Sequence, residues 1–302
     1  MSRTASLAFL AAALALVAGV VTYFSLAGGS TQSVTPSTPG SPFRSFTLPL
    51  ADSSSALALA GHEGNLLVGL AARPGGPAEV AAVRGDTPVA TGAVQIRIDG
   101  RNAEPAPCGR GCSRVDVPVL AGSPARVSVR IEQSDLSFDL PARLPPDGTR
   151  VFLRARRTMD ALRSLRFSER LTSGREAVFS TVEVEAPNRL RLRTGRSRSV
   201  IIGKHRWDYR AGRWERTPFP GLRLPEVLMW SQAKHPRIVG RAGGVTELAA
   251  FGRQPVPAWF RLEIAPSGRV LEAEMIAESH FMTHRYSDFN APFSIMPPVR
   301  KR

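Results

Sequence analysis

The chain has 302 residues, 43% of them hydrophobic, and a net charge of +15. Its cations are almost all arginine, with Lys204, Lys234 and Lys301 as the lysines; they are scattered through strand-like segments without the recognisable module that a nucleic-acid reader needs, which sets nucleic acid aside as a partner. The sequence has no G-x-S-x-G elbow, no H-E-x-x-H helix, no phosphate-cradling glycine loop and no C-x-x-C pair, so an enzyme is not expected.

Arg3 precedes an uncharged stretch, residues 5–27, rich in Ala, Leu and Val. About 20 apolar residues cross a bilayer core. With Arg3 on the short side and a polar segment following, the positive-inside rule places the chain from Gly28 onward outside the cytoplasm. Residues 1–27 read as an uncleaved transmembrane anchor, or as a signal peptide cut at Ser25-Leu26-Ala27. No cysteine follows in a lipobox position. Either way the bulk is extracytoplasmic, held at the cell membrane or secreted. Residues 28–45 begin GGSTQSVTPSTPGSP, have too little apolar surface to pack a core, and read as a flexible linker.

The remainder exceeds one ordinary domain. The best boundary is Leu144-Pro145-Pro146-Asp147-Gly148, which divides the chain into 46–145 and 149–302. Charge supports the division, because residues 151–302 hold 28 Lys and Arg against 14 Asp and Glu. Outside the membrane such basicity would meet lipid headgroups or wall polymers; it is equally read as solvated surface.

The first domain alternates short apolar runs with turn residues. Strands are predicted at 65–71, 78–83, 93–98, 114–119, 125–131 and 136–140, as in an antiparallel sandwich. The two cysteines, Cys108 and Cys112, lie in PCGRGC, where Gly109 and Gly111 permit a tight turn. In an oxidising compartment the close pair reads as a structural disulfide. A dithiol for a soft metal such as Cu(I), or a redox pair, is the sharper alternative.

The succession LLVGLAARPGGPAEVAAV, AVQIRIDG, PCGRGC, VSVRI and FDLPARLP resembles the immunoglobulin-like YtkA/FixH-type domain, which occurs beside CopC/CopD copper-resistance proteins. The resemblance covers about 90 residues. It implies an immunoglobulin-like β-sandwich and, by association, copper handling.

The second domain opens on an amphipathic helix at 151–166, where Leu153, Met159, Leu162 and Leu165 fall near helical spacing. Strands are predicted at 166–171, 177–185, 190–193, 199–202, 205–209, 214–216, 245–251, 258–264, 270–277 and 279–289, with a second helix at 224–233. Two carboxylate pairs, Glu183/Glu185 and Glu272/Glu274, are spaced as the wet side of a strand. The phrases ALRSLRFSERLTSG, VEVEAPNRLRLR, IIGKHRWDYRAGRWER and WFRLEIAPSGRVLEAEMIAESHFMTHRYSDFN are similar to the lipoprotein-carrier superfamily of LolA and LppX, whose fold regulatory proteins of the RseB type share. That resemblance implies an antiparallel half-barrel with helical lids around an apolar cavity holding acyl chains or lipidated proteins.

Cavity candidates are Trp207, Trp214, Met229, Trp230, Trp259, Met275 and Phe281, which suit an ordinary core equally. On the last strand His280, Met282 and His284 share one face, a copper-compatible set of imidazole and thioether ligands. Glu274, Glu278 and Tyr286 are read onto the same alternating face, as a solvated or half-buried strand face would have it. His62 and Met296 stand alone. The expected protein is mainly β, membrane-tethered and extracytoplasmic, and it binds or carries an apolar ligand such as a lipid or a lipidated protein. The alternatives are a copper-resistance accessory protein and a ligand-free regulatory scaffold engaging a partner membrane protein.

Overall fold

Strand-period alternation dominates residues 46–174, 176–253 and 256–298, which the computed structural model describes, and the fold is accordingly mainly β. The expected anchor or signal, 1–27, lies outside the described residues, as does the linker at 28–45. No helix among the described residues is long and apolar enough to cross a membrane.

The first unit contains two antiparallel sheets. One has the order β1 (Leu57–Glu63), β2 (Leu66–Ala72), β3 (Gly76–Arg84), β8 (Cys112–Val119) and β7 (Ala106–Gly109), with β4 (Thr87–Pro88) beside β3. The other has the order β10 (Ser134–Leu140), β9 (Ala125–Ile131), β5 (Gln95–Ile98) and β6 (Arg101–Ala103). Leu66, Val68 and Leu70 pack with Ile96, Val127, Val129 and Ile131 to fill the space between the sheets.

Strand β2 is buried along its whole length and β3 at all but its ends. This explains why LLVGLAA is a continuous apolar run and AEVAAV is broken only by Glu79, which is buried and accepts from the Leu50 N–H at 2.8 Å: both faces of these strands are covered. The second face, carrying Leu67, Ala71, Ala81 and Val83, meets the other half of the molecule.

That half is an open eleven-stranded antiparallel sheet. From one edge it runs β16 (Arg213–Pro218), β15 (His205–Arg210), β14 (Ser197–Ile202), β13 (Arg189–Thr194), β12 (Ala177–Glu185) and β11 (Ser164–Thr172). It continues through β21 (His280–Ser287), β20 (Val270–Ala277), β19 (Ala258–Ile264), β18 (Val245–Gly252) and β17 (Lys234–Ala242). Helix α1 (Thr149–Asp160) joins the core on the inner face with Phe152, Ala155 and Met159. The Asp147 carboxylate starts this helix, accepting from the Thr149 backbone N–H at 3.2 Å and hydroxyl at 2.7 Å.

The helix departs from the predicted one in phase and length. Phe152 takes the buried position, and Leu153 is 42% exposed. The helix ends at Asp160, so Leu165 reaches the core from β11 instead. The predicted helix at 224–233 is a 3-10 turn, Leu224–Val227, followed by irregular chain. Leu224, Val227, Leu228 and Trp230 are all buried, and the helical path ends at Leu228, whose backbone is extended. Strand β17 was not predicted because Pro236 and Gly240 interrupt it. It is an edge strand with two register shifts, where such residues are tolerated.

The two halves meet through Phe251, Trp259, Ile276 and Phe281 on the outer face of the large sheet, opposite the second face of β2 and β3. Phe46 stacks on Trp259 with ring centroids 5.5 Å apart, and His62 on Phe281 at 3.9 Å. Gly69 makes the approach possible: a β-carbon there would lie 2.0 Å from the Trp259 ring. Gly69→Ala is therefore expected to cost about 1–3 kcal/mol, as overpacking does. In chemical denaturation, Trp259→Phe should recover part of that loss in the double variant, giving a non-additive pair. Additive losses would show that the two residues do not press on each other.

Candidate functional site

The inner face of the large sheet is occupied by the protein's own side chains. Leu165, Phe167, Val182, Leu190, Met275 and Met282 lie buried beneath Phe152, Met159 and Trp230. Within this apolar core sits a polar chain. Glu169 Oε2 and His284 Nε2 are 2.8 Å apart, His284 Nδ1 and the Tyr286 hydroxyl 3.4 Å, and Trp230 Nε1 donates to that hydroxyl at 3.3 Å. One assignment satisfies all three contacts: Trp230 N–H to Tyr286 oxygen, Tyr286 O–H to His284 Nδ1, and His284 Nε2–H to the Glu169 carboxylate. Burial pushes the Tyr286 phenol well above its ordinary range.

His280, Met282 and His284 do share the inner face. Both ring nitrogens of His284 already have partners, Met282 is buried in the core, and His280 Nδ1 contacts the Glu278 carbonyl at 2.9 Å. Glu274 does not join them, because the turn after Ala277 reverses the chain; it lies on β20 opposite Thr283. Among the described residues no group of three or more His, Cys, Asp or Glu could hold a metal ion. Cys108 and Cys112 form a disulfide across the turn between β7 and β8.

The aromatic and methionine candidates fall into three places. Trp230, Met275 and the half-buried Met229 belong to the inner core. Trp259 and Phe281 lie on the outer face, under the first unit. Trp207 and Trp214 stand on the terminal hairpin β15–β16, half-buried.

Room for a ligand is found between the halves. A cleft of about 1090 Å³ opens between strands β1 and β10 of the first unit and the outer face of β17–β20. Its walls include Leu57, Leu59, Leu136, Leu144, Ile238 and Ile276. Trp259 also lines it, and the indole N–H is buried with no hydrogen-bond partner among the described residues. Glu247, Arg261 and Glu274 supply charge on the same wall. The Arg261 guanidinium donates to Glu247, and Arg261 stands opposite Glu274 in the strand register. Burial raises the Glu274 carboxyl above its ordinary range, against the pull of Arg261.

Sequence reasoning missed this site because its walls come from segments about 200 residues apart. Glu274 had been noticed, paired with Glu272 as a wet strand face. The other pair holds a similar correction: Glu183 is buried and held by Arg191 at 2.6 Å and Arg166 at 3.1 Å.

No protein-family model matches the chain, and no curated protein does. Solved structures do. The crystal structure of LprF from Mycobacterium bovis is 13% identical over 52% of this chain and 99% of its own, with a TM-score of 0.40. Lipoprotein LppX of Mycobacterium tuberculosis is 13% identical over 49% of this chain and 99% of its own, at 0.38. A LolA superfamily protein from Nitrosomonas europaea is 10% identical over 48% of this chain and 93% of its own, at 0.23. At such identities and TM-scores no role is carried over from these proteins.

Removing either member of the buried Glu169–His284 pair strands the other in the core. Glu169→Ala and His284→Ala are each expected to cost about 3–5 kcal/mol, and replacing both by Leu far less. Urea denaturation of the three variants checks this; equal losses in all three would contradict it. A pH effect follows from the histidines. Burial, with the Arg170 charge second, holds His62 below its ordinary 6.5, and burial does the same for His280. The unfolded chain then takes up protons before the folded one, so these groups' contribution is intact above pH 6.5 and lost progressively as pH falls toward the folded values. Thermal melts are expected to show a shallower decline between pH 7 and 5 for His62→Phe than for the unchanged protein; parallel curves would contradict this.

Proposed function

We propose that this chain is an extracytoplasmic, membrane-tethered binding protein that takes up a lipid or a lipidated segment in the cleft between its two halves. One observation carries the reading: a volume of about 1090 Å³ walled by apolar side chains of both units, at the upper end of ordinary ligand sites. The Arg261 guanidinium stands on the wall as a donor, so the favoured ligand is an amphiphile with oxygen acceptors at one end. This moves the ligand from where the carrier resemblance implied it. The helix side is filled by Phe167, Met159 and Trp230, whereas the outer face is walled by the first unit. That unit, read as an immunoglobulin-like sandwich, then acts as half of the site as well as a spacer from the membrane. Copper handling gains no comparable support, since the cysteines are bridged and His284 is engaged at both nitrogens.

The test is native mass spectrometry of the full chain for co-purified lipid, followed by titration of the delipidated protein with a fluorescent fatty acid. Leu136→Asp, on the cleft wall, is expected to weaken binding at least about tenfold. Arg261→Gln should weaken binding of the fatty acid while sparing its neutral methyl ester. If neither variant changes affinity and Met229→Asp, on the helix side, abolishes it, the ligand lies on the inner face and the cleft assignment fails. If no lipid co-purifies and no fatty acid binds, the carrier reading fails.

A further inference from the structure

The outer face of the large sheet divides in two. The β17–β21 part is covered by the first unit, whereas the β12–β16 part carries a different surface. Cross-strand registers align Thr181, Arg193, Arg198, Tyr209 and Trp214 in one row on that face. Arg193 and Arg198 stand directly opposite each other, an arrangement that destabilises a sheet unless something anionic meets it. Neither has an ion pair among the described residues; Arg198 lies over the Tyr209 ring at 5.9 Å. In the neighbouring row Arg216 lies over Trp207 at 5.7 Å. Glu183 on this face is already neutralised by Arg166 and Arg191.

Apolar groups accompany the cations. Phe179, opposite Arg170 and on the same face, is 66% exposed, and Tyr209 is 36% exposed. The C-terminal segment crosses the face, with the Ile295 N–H donating to Glu185 and the Ile295 carbonyl accepting from Arg189. The next residue, Met296, is 62% exposed. Three of the four large hydrophobic residues exposed among the described residues therefore lie on or beside this face, Phe179 and Met296 toward opposite ends of β12, and the fourth is Leu153 on α1.

We propose that this face docks on an anionic lipid bilayer, with Arg170, Arg193, Arg198 and Arg216 meeting headgroups and Phe179, Tyr209 and Met296 entering the interface. Arginine beside Trp and Tyr is the composition of a membrane-interface surface. A soluble polyanion would account for the arginines alone and leave Phe179 and Met296 facing water. The surface is separate from the cleft and does not depend on what the cleft binds.

The experiment uses the full chain in vesicles and reads the depth of one site, so a membrane-inserted N-terminus leaves the comparison intact. The cysteines being bridged, Thr181→Cys on the proposed face and Leu153→Cys on α1 each accept a single fluorophore. Vesicles contain a headgroup-region spin-labelled lipid and either phosphatidylcholine alone or phosphatidylcholine with phosphatidylglycerol. The expected result is strong quenching at position 181 only with phosphatidylglycerol, weak quenching at 153 in both, and loss of the 181 signal at high salt. Arg193→Glu with Arg198→Glu should raise the phosphatidylglycerol content needed for half-maximal quenching, or weaken partitioning about tenfold. Equal quenching at the two positions, or quenching at 181 indifferent to lipid charge and salt, would overturn the proposal. So would binding of a soluble anionic polymer with no quenching by the bilayer. The salt arm needs no further substitution and decides the case even if the double variant misfolds.

Discussion

The close approach of Trp259 to Gly69 holds the two halves of this protein in register. Strands β2 and β3 are apolar on both faces, and neither unit can cover both alone. The first unit's second sheet covers one face; the other is buried only where the large sheet presents Phe251, Trp259, Ile276 and Phe281. A side chain at residue 69 would lift the sheets apart at the centre of this seam. Phe46 and Leu48 also enter it. The small side chains Ala58 and Ala60 let β1 lie close to β18–β20, and the cleft is the space left between these strands and β10.

Period-two patterning made most strands readable. The runs at 125–131, 177–185, 258–264 and 270–277 coincide with β9, β12, β19 and β20. The elements that escaped were those in which tertiary burial overrides local pattern. β17 carries Pro236 and Gly240 and is a strand because an edge tolerates them. The segment at 224–233 has the composition of a helix, but the chain becomes extended at Leu228 after a single 3-10 turn. For the candidate residues, the alternation placing His280, Met282 and His284 together was legible. That Glu169, 115 residues away, would occupy the His284 ring was not, since only the β11–β21 register brings them face to face.

Arginine content had looked like uniform solvation, and the registers separate it into classes. Some arginines neutralise carboxylates across strands, as Arg191 does for Glu183, Arg285 for Glu272 and Arg126 for Asp139. The exposed pairs among these, Arg285–Glu272 and Arg126–Asp139, contribute little individually to stability. Others, such as Arg193 and Arg198, face each other without a carboxylate between them. The same residue type thus serves two physical ends, and only strand pairing tells them apart.

The large sheet also shows why one curved layer can serve several surfaces. Alternation sends successive side chains to opposite faces, so each strand contributes independently to both. On β21, Met282, His284 and Tyr286 build the inner core while Phe281 holds the first unit. On β12, Val182 and Val184 fill the core while Phe179 and Thr181 stand outside. Filling the inner face with Phe152, Phe167 and Trp230 gives the sheet a rigid backing, and the outer face is then free to vary without unfolding the domain. A wall supported from behind by a packed core can border a cleft of this size without collapsing into it.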